Sequence, residues 1–311
     1  MSYINQRIAY GETLVELGRE NKNIVVLDAD LCASTMGKLY ELEHSSRHFE
    51  MGIAEANMLS VSAGLATTGK IPFANSFAVF ATGRAYDQIR QTIAIGKLNV
   101  KIVGSSAGLS DFGDGATHQS VEDIAIMQAI PNMTVICPAD ANETVEATKA
   151  IAEYDGPVYM RLNRNDYKNV TKKGKRFKIG EPEVLREGTE LVLFATGYVV
   201  GLAMEVAKKL AEKISIKVVN MATIKPLNQD IIKDLVKDAK GVVTVEEHSI
   251  IGGLGSAIIG ALAKIPIPVE VFGINDVFGC SAHNYEELLE HFGFTVENLA
   301  NVVTDFNLEI S

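Results

Sequence analysis

The chain has 311 residues, of which 47% are hydrophobic and 22% charged, a composition typical of a folded protein of about two domains. Its formal net charge of -10 argues against a protein held on nucleic acid or on an anionic membrane by its overall field, although it permits a local basic pocket for a phosphorylated ligand. The cysteines, Cys32, Cys137 and Cys280, show neither disulfide nor zinc spacing, which favours a reducing, cytoplasmic setting.

The first half of the chain alternates between short β-branched runs and helical patterns. Its amino-terminal segment is charged and the sequence has no long apolar run, so we expect neither a signal peptide nor a membrane span. Strands are predicted at 23–30, 71–77, 99–105, 133–140 and 157–162, and helices at 3–20, 55–68, 82–95, 121–129 and 141–153. The strands are nearly continuous in apolar character, which indicates a parallel sheet covered on both faces.

The alternation stops at 163–182, a polar and basic segment. We interpret it as an interdomain linker, although its composition suits a solvated surface loop equally well. Further strands are predicted at 190–196, 215–220, 241–247 and 268–273. The sequence therefore predicts an α/β protein of two domains with mostly parallel sheets, over 1–165 and 181–311, joined by a linker at 166–180.

Unusual residues cluster just beyond predicted strands, where ligands of open α/β sheets bind. Glu55 opens a helix after a glycine turn, a position more typical of a carboxylate that complements the helix dipole. Phe77 and Phe80 have the spacing of a core pair, and either ring could also stack on a flat heteroaromatic ring. Arg161 and Arg164 suit bidentate phosphate recognition, or are exposed arginines beside a basic linker.

A glycine-rich loop over 104–115 contains Gly-Asp-Gly at 113–115, a triplet that often marks a phosphate and metal loop. After it, His118 could donate, exchange a proton or ligate, and the alternative is a cluster in which Thr117 caps a helix while His118 faces solvent. A second glycine-rich run, GGLGSAIIG at 252–260, lacks the third glycine of a dinucleotide loop, which favours a tight turn into a helix.

Seven segments, taken in order, resemble the C-terminal half of the transketolase family: DADLCAS, RHFEMGIAEANM, IPFANSFAVFATGRAYDQIRQ, GDGATHQSVEDIA, CPADANET, PVYMRLNR and VEEHSIIGGLGSA. They cover essentially the whole chain, and GIAEANM followed by DGATHQ is highly specific. The family uses thiamine diphosphate, and a full-length member has a diphosphate- and metal-binding domain, a pyrimidine-binding domain and a C-terminal domain. The resemblance implies that this chain holds the last two.

The resemblance implies a split enzyme of carbohydrate metabolism, in the pentose phosphate pathway, that moves a two-carbon ketol unit between sugar phosphates. An N-terminal partner chain would carry the diphosphate domain with Mg²⁺ or Ca²⁺, and two copies of each chain would associate, in part through both domains of this one. The triplet at 113–115 matches the family's substrate loop rather than its metal motif, because Asn142 is a single asparagine where that motif has a pair. We therefore expect no metal site in this chain.

The resemblance also assigns residues to the cofactor. Glu55 matches the glutamate that hydrogen-bonds the aminopyrimidine ring, a catalytic position. Phe80, helped by Phe77, matches the aromatic face under that ring. Leu31 matches an apolar contact to the thiazolium, and Asp30 a carboxylate at the interface between chains.

A second set of residues matches positions that bind substrate. Asp114 and His118 match groups that hold the sugar hydroxyls near the reacting carbon, where His118 is a catalytic candidate. Arg164 and Ser34 match positions that bind the phosphate of the sugar phosphate. No residue of 180–311 has a clear chemical task, so we assign that segment to packing and assembly.

Two departures leave the ketose and aldose open. Ser106 stands where many full-length members have a histidine, and Gly83, followed by Arg84, stands where the family has a third aromatic. Rival hypotheses are another thiamine diphosphate enzyme, such as deoxyxylulose phosphate synthase or a 2-oxo acid dehydrogenase β subunit, and a non-catalytic binding module.

Overall fold

The structure, a computed structural model, describes residues 4–311, so the first residue of the helix predicted at 3–20 lies outside it. The first part of the chain forms β1 (Ile4–Asn5), α1 (Gln6–Glu20), β2 (Ile24–Asp28), α2 (Cys32–Thr35), α3 (Gly37–His44), β3 (His48–Glu50), α4 (Glu55–Thr67), β4 (Ile71–Phe77), α5 (Tyr86–Gln88), β5 (Lys101–Ser105), α6 (Asp123–Gln128), β6 (Thr134–Ile136), α7 (Ala141–Glu153), β7 (Val158–Arg161) and β8 (Asp166–Tyr167). The rest forms β9 (Glu183–Arg186), β10 (Leu191–Thr196), α8 (Val199–Lys209), β11 (Ile216–Asn220), β12 (Thr223–Lys225), α9 (Gln229–Val236), β13 (Gly241–Ser249), α10 (Leu254–Leu262), β14 (Val269–Ile274), α11 (Tyr285–His291) and α12 (Val296–Glu309).

The first sheet has seven strands in the order β12-β6-β7-β5-β4-β2-β3. All its pairs are parallel except that of β12 with β6. The five strands predicted in this half are confirmed, and strands such as β2 and β5 are buried along their whole length because helices cover both faces. The short edge strand β3 was not predicted.

The helix predicted at 82–95 is the main local difference. Two π-helical segments, Phe80–Arg84 and Ile89–Ala94, flank the three residues of α5. A π-helical turn holds one more residue than an α-turn, so it changes the direction of the side chains that follow, and such turns are frequent at functional sites. Here one of them begins at Phe80, three residues after the last residue of β4, Phe77.

The second sheet has five strands in the order β14-β13-β10-β11-β9, parallel except for β9. The four strands predicted in this half are confirmed, and the protein is an α/β protein with mostly parallel sheets. None of the helices found within residues 4–311 combines the length and the apolar character that crossing a membrane requires.

The two halves are joined by more than the polar segment between them. Strand β12 comes from the second half of the sequence, yet it pairs with β6 as the edge of the first sheet. Strand β8 pairs with β1, which ties the start of the segment predicted as a linker to the amino-terminal strand. Buried side chains of both halves, among them Ile102, Met127 and Val192, belong to one hydrophobic cluster.

Candidate active site

Glu55 is the first residue of α4 and its side chain is 5% exposed. The turn before it contains Gly52, whose positive φ of 67° is readily adopted by glycine. Its carboxylate accepts a hydrogen bond of 2.9 Å from Nη1 of Arg84, a side chain that is itself 53% exposed. A group that only complemented the helix dipole would be solvated, so burial beside a cation indicates a more specific task.

An aromatic surface lies beside this carboxylate. The rings of Phe77 and Phe80 are stacked, with centroids 5.9 Å apart and planes at 16°. His118 meets Phe80 edge-on at 5.2 Å, and Cζ of Arg84 lies 4.2 Å from the centroid of Phe80. The structure therefore brings Glu55, Phe77, Phe80 and His118 together.

The loop that carries His118 forms a short 3₁₀ turn over Gly115–Thr117. Because α6 begins only at Asp123, Thr117 does not cap it, and that alternative is wrong. Instead Oγ1 of Thr117 lies 3.0 Å from Nδ1 of His118, which fixes the ring against the phenylalanines. Asp114 is exposed in the same loop, where it is open to a ligand.

Arg164 reaches this loop from the end of β7. Its Nη1 lies 2.6 Å from Oδ2 of the buried Asp111, and its Cζ is 5.9 Å from the centroid of Phe77. Burial raises the pKa of the Asp111 carboxyl, and the charge of Arg164 opposes that shift.

Arg7 joins two segments predicted to bind phosphate, a role that sequence reasoning missed. Its guanidinium donates to the backbone carbonyls of Ser34 (2.6 Å) and Arg164 (3.0 Å). Burial, followed by the charge of Arg164, lowers the pKa of Arg7 to about 10. No local pattern could have identified Arg7, because it lies on α1 and its partners are 27 and 157 residues away.

Glu50 was also missed. Its Oε1 accepts from the backbone N–H of Asp30 (2.6 Å) and of Gly52 (3.2 Å), so it joins the turn after β2 to the turn before Glu55. Asp30 is exposed with a positive φ of 60°, and the next residue, Leu31, is half-buried. Both residues thus lie at the carboxyl end of β2.

The second half of the chain holds the loop that precedes His118. Nε2 of Gln119 donates to the carbonyl of Cys280 (3.0 Å), and the N–H of Ala282 donates to the carbonyl of Phe112 (2.9 Å). Gly115 has a positive φ of 72°, and a Cβ added there would lie 2.3 Å from Oγ and 3.0 Å from the backbone N of Ser281, so glycine favours this close approach of the two loops. Residues of 180–311 therefore position this loop, which is more than packing and assembly.

Arg161, in contrast, is not available to a phosphate. Its side chain is 6% exposed, and its Nε donates to Oδ2 of Asp123 at 2.9 Å. Its Nη2 donates to the carbonyl of Glu247 at 2.9 Å, and the hydroxyl of Tyr159 donates to Asp123 at 2.6 Å. This buried network joins the two halves of the chain.

The glycine-rich run at 252–260 wraps a buried carboxylate. Oε2 and Oε1 of Glu246 accept from the N–H groups of Leu254 (2.6 Å) and Gly255 (2.8 Å) at the start of α10. A Cβ at Gly253 would lie 1.9 Å from Oε2 of Glu246, so glycine is required for close approach. The prediction of a tight turn into a helix is confirmed.

These buried carboxylates predict an unusual dependence of stability on pH. Burial raises the pKa of Glu246 and of Glu247 to about 7, well above the ~4.3 of an unfolded chain. Between those values the folded chain binds more protons than the unfolded chain, so the free energy of unfolding is expected to fall as the pH rises from about 5 to about 8. Denaturant midpoints across this window measure it, and Glu247→Gln should flatten the curve. A wild-type midpoint that rises steadily across the window would contradict the expectation.

Asn142 and the triplet at 113–115 do not form a shared site. Nδ2 of Asn142 donates to the carbonyl of Thr171 (2.9 Å), which holds the segment between the two halves. Over the described part of the chain, residues 4–311, no group of three or more His, Cys, Asp or Glu side chains could hold a metal ion.

Comparison with known proteins finds transketolase-family matches in both halves of the chain. The family model described as "Transketolase, pyrimidine binding domain" matches residues 2–170, and the one described as "Transketolase, C-terminal domain" matches residues 180–299. The chain is 47% identical to a putative transketolase C-terminal section from Methanocaldococcus jannaschii, over 97% of this chain and 96% of that protein. It is 39% identical to a 6-deoxy-6-sulfo-D-fructose transketolase subunit from Clostridium sp. strain MSTE9, over 94% and 91%.

A solved structure is similar in fold over the same extent. It is described as a split gene transketolase, an inactive beta4 tetramer, and it superimposes with a TM-score of 0.88 at 46% identity, over 98% of both chains.

Proposed function

The chain belongs to the transketolase family, and on that premise we propose that it is the C-terminal subunit of a two-chain transketolase that moves a two-carbon ketol unit from a ketose phosphate to an aldose phosphate. The observation that carries this proposal is the buried carboxylate of Glu55, which contacts the same arginine, Arg84, as the ring face of Phe80, with His118 edge-on to that ring. In this family the pyrimidine-binding domain supplies a carboxyl group, an aromatic surface for stacking and a polar group near them.

The pyrimidine-binding domain is that of thiamine diphosphate proteins, and the residues present fit the ring end of that cofactor. Glu55 is buried and can share a proton with a ring nitrogen, and Phe80 offers a flat apolar face for stacking. When bound, the cofactor supplies the carbon–carbon bond chemistry, and the protein supplies orientation and proton transfer. We place the diphosphate, with Mg²⁺ or Ca²⁺, on the partner chain, and Leu31 and Asp30 towards the shared interface.

The substrate-binding residues hold the sugar phosphate. Asp114 is exposed and His118 is half-buried at the aromatic surface, so both can bond to sugar hydroxyls. Arg164 and Ser34 would take the phosphate, and Arg7 holds the backbones of both. Arg7 and Arg164 place two guanidinium groups near the carboxylates of Asp111, Asp114 and Asp166, and the partly exposed guanidinium of Arg164 is the group that a phosphate would bind.

The identity of the sugar is a separate question. The relative from Clostridium is described as acting on 6-deoxy-6-sulfo-D-fructose, so an anionic ketose other than a pentose phosphate is an alternative substrate. Ser106 is fully buried with a positive φ of 53°. The position at which many family members present a histidine therefore offers no side chain to the substrate here.

In the proposed site this chain supplies only the residues around the pyrimidine ring, and the diphosphate needs a second chain. We propose that an N-terminal subunit completes it, that two copies of each chain associate, and that the complex works in the cytoplasm. The described similarity to a split gene transketolase in a beta4 tetramer supports both a partner chain and self-association.

The test is to purify the chain gently from its own cells and identify what accompanies it. We expect a chain bearing a Gly-Asp-Gly motif and an asparagine pair, and the pair should transfer ketol units among a panel of ketose phosphates, ketose sulfonates and aldose phosphates once thiamine diphosphate and Mg²⁺ are added. Release of carbon dioxide from pyruvate and glyceraldehyde phosphate would instead assign the synthase reaction. Recovery of this chain without such a partner would support the binding module.

A further inference from the structure

Arg84 occupies the two groups that the proposed cofactor ring would use. Its Nη1 lies 2.9 Å from Oε1 of Glu55, and its Cζ lies 4.2 Å from the centroid of Phe80. A guanidinium at that distance is in stacking contact with the ring, so a second planar group cannot lie on the same face at the same time. The carboxylate oxygen that faces Arg84 is likewise already engaged.

The surroundings of Arg84 allow it to leave. More than half of its side chain is exposed, at 53%, and it ends the π-helical segment Phe80–Arg84. The preceding residue, Gly83, has open space beside it, since a Cβ built there would meet no atom of the described residues within 4 Å. A rotation of the side chain towards solvent therefore meets no packed neighbour on that side.

The pair also explains how the free subunit tolerates Glu55. A carboxylate that is 5% exposed loses most of its hydration, and the adjacent guanidinium offsets that loss. In this contact Oε1 of Glu55 accepts a hydrogen bond from Arg84. A carboxyl that shares a proton with a ring nitrogen needs a different partner in that place.

We infer that Arg84 is a positioning residue that holds the place of the cofactor's pyrimidine ring between Glu55 and Phe80, and that ring binding requires its displacement. This rests on the proposed function. Arg84 then lowers the affinity for cofactor, because the pyrimidine ring must displace its guanidinium from Glu55 and Phe80 in order to bind.

The test compares thiamine diphosphate binding to the assembled two-chain protein by titration calorimetry in the presence of Mg²⁺. Arg84→Ala is expected to bind about five- to tenfold more tightly than the wild type, because a half-exposed cation–π contact and ion pair no longer compete. Arg84→Lys keeps the charge without the planar group and should fall between the two. The matched control is Arg90→Ala, an exposed arginine of the neighbouring π-helical segment, with unchanged affinity.

The dependence of cofactor affinity on salt concentration distinguishes competition by Arg84 from a merely structural effect of the substitution. Screening weakens the pair between Arg84 and Glu55, so the ratio of the wild-type and Arg84→Ala dissociation constants should approach one as ionic strength rises. Equal or weaker binding by Arg84→Ala, with the wild type binding normally, overturns this inference and leaves the proposed function intact. Absence of binding by every variant overturns the proposed function and this inference with it.

Discussion

Glu55→Gln is expected to lower kcat of the two-chain enzyme by about 10²- to 10⁴-fold, the range for loss of a positioned acid–base group. Glutamine has nearly the same shape, and its amide oxygen can still accept from Arg84, so the fold should survive. It cannot exchange a proton with a ring nitrogen at neutral pH, which is the task proposed for Glu55. The assay is ketol transfer at saturating cofactor and substrates, with circular dichroism and thermal melting of the free chain as measures of folding.

The matched control is Glu297→Gln. Glu297 also lies in the first turn of a helix, α12, but its side chain is 79% exposed. If a carboxylate at a helix start served the dipole alone, both substitutions would have the same small effect. We expect Glu297→Gln to retain full activity. A Glu55→Gln enzyme within about twofold of the wild type would remove Glu55 from the catalytic site, because acid–base groups are worth far more.

Asp123→Ala is expected to lower the free energy of unfolding by about 3–5 kcal/mol, the usual cost of leaving a buried charge without its partner. Asp123 is fully buried and binds both Arg161 and the hydroxyl of Tyr159. Since Arg161 also holds the carbonyl of Glu247, the loss should loosen the contact between the two halves of the chain. The measurement is denaturant unfolding at pH 7, monitored by circular dichroism.

Two comparisons separate the buried network from ordinary loss of charge. Asp234→Ala breaks the exposed pair with Lys237 at 2.8 Å and should change stability far less, because solvent screens an exposed pair. Asp123→Ala combined with Arg161→Met should recover part of the loss, because the unpaired buried charge is then removed. Should Asp123→Ala not fold, Asp123→Asn keeps one acceptor oxygen for Tyr159 and Arg161, although it loses the charge and the second acceptor, and it should give a smaller loss. A cost for Asp123→Ala equal to that of Asp234→Ala would contradict the role of the network.

The buried network and the proposed site are close along the chain. Asp123 opens α6, a few residues after His118 and Gln119, and Glu247 accepts from the N–H of Leu109 at 2.7 Å. Loosening the network should therefore move the loop that carries Asp114 and His118. We accordingly interpret the second half of the chain as the support of a site whose chemical groups come from the first half.

Local sequence predicted most of the elements and the chain positions of the candidate site. The apolar runs predicted all the long strands, and α7 begins at Ala141 as predicted because Asp140 caps it by accepting from the N–H of Glu143 at 3.0 Å. Glu55, Phe80 and His118 follow strands or glycine turns, and the carboxyl ends of parallel strands meet at one edge of a sheet. The spacing of apolar residues and the identity of turn and cap residues are properties of neighbouring positions, so these features could be predicted.

Contacts between distant residues were decided by the tertiary structure alone. No local periodicity relates the residues that make these contacts. Strand β12 pairs with β6 in the first sheet, Arg7 donates to the carbonyls of Ser34 and Arg164, and Arg84 pairs with Glu55. The same limit applies to Arg161, which resembles a phosphate-binding arginine in sequence and is buried against Asp123 in the fold. Whether a charged side chain is buried and paired or free to bind depends on what the rest of the chain packs against it, and that is settled only when the chain has folded.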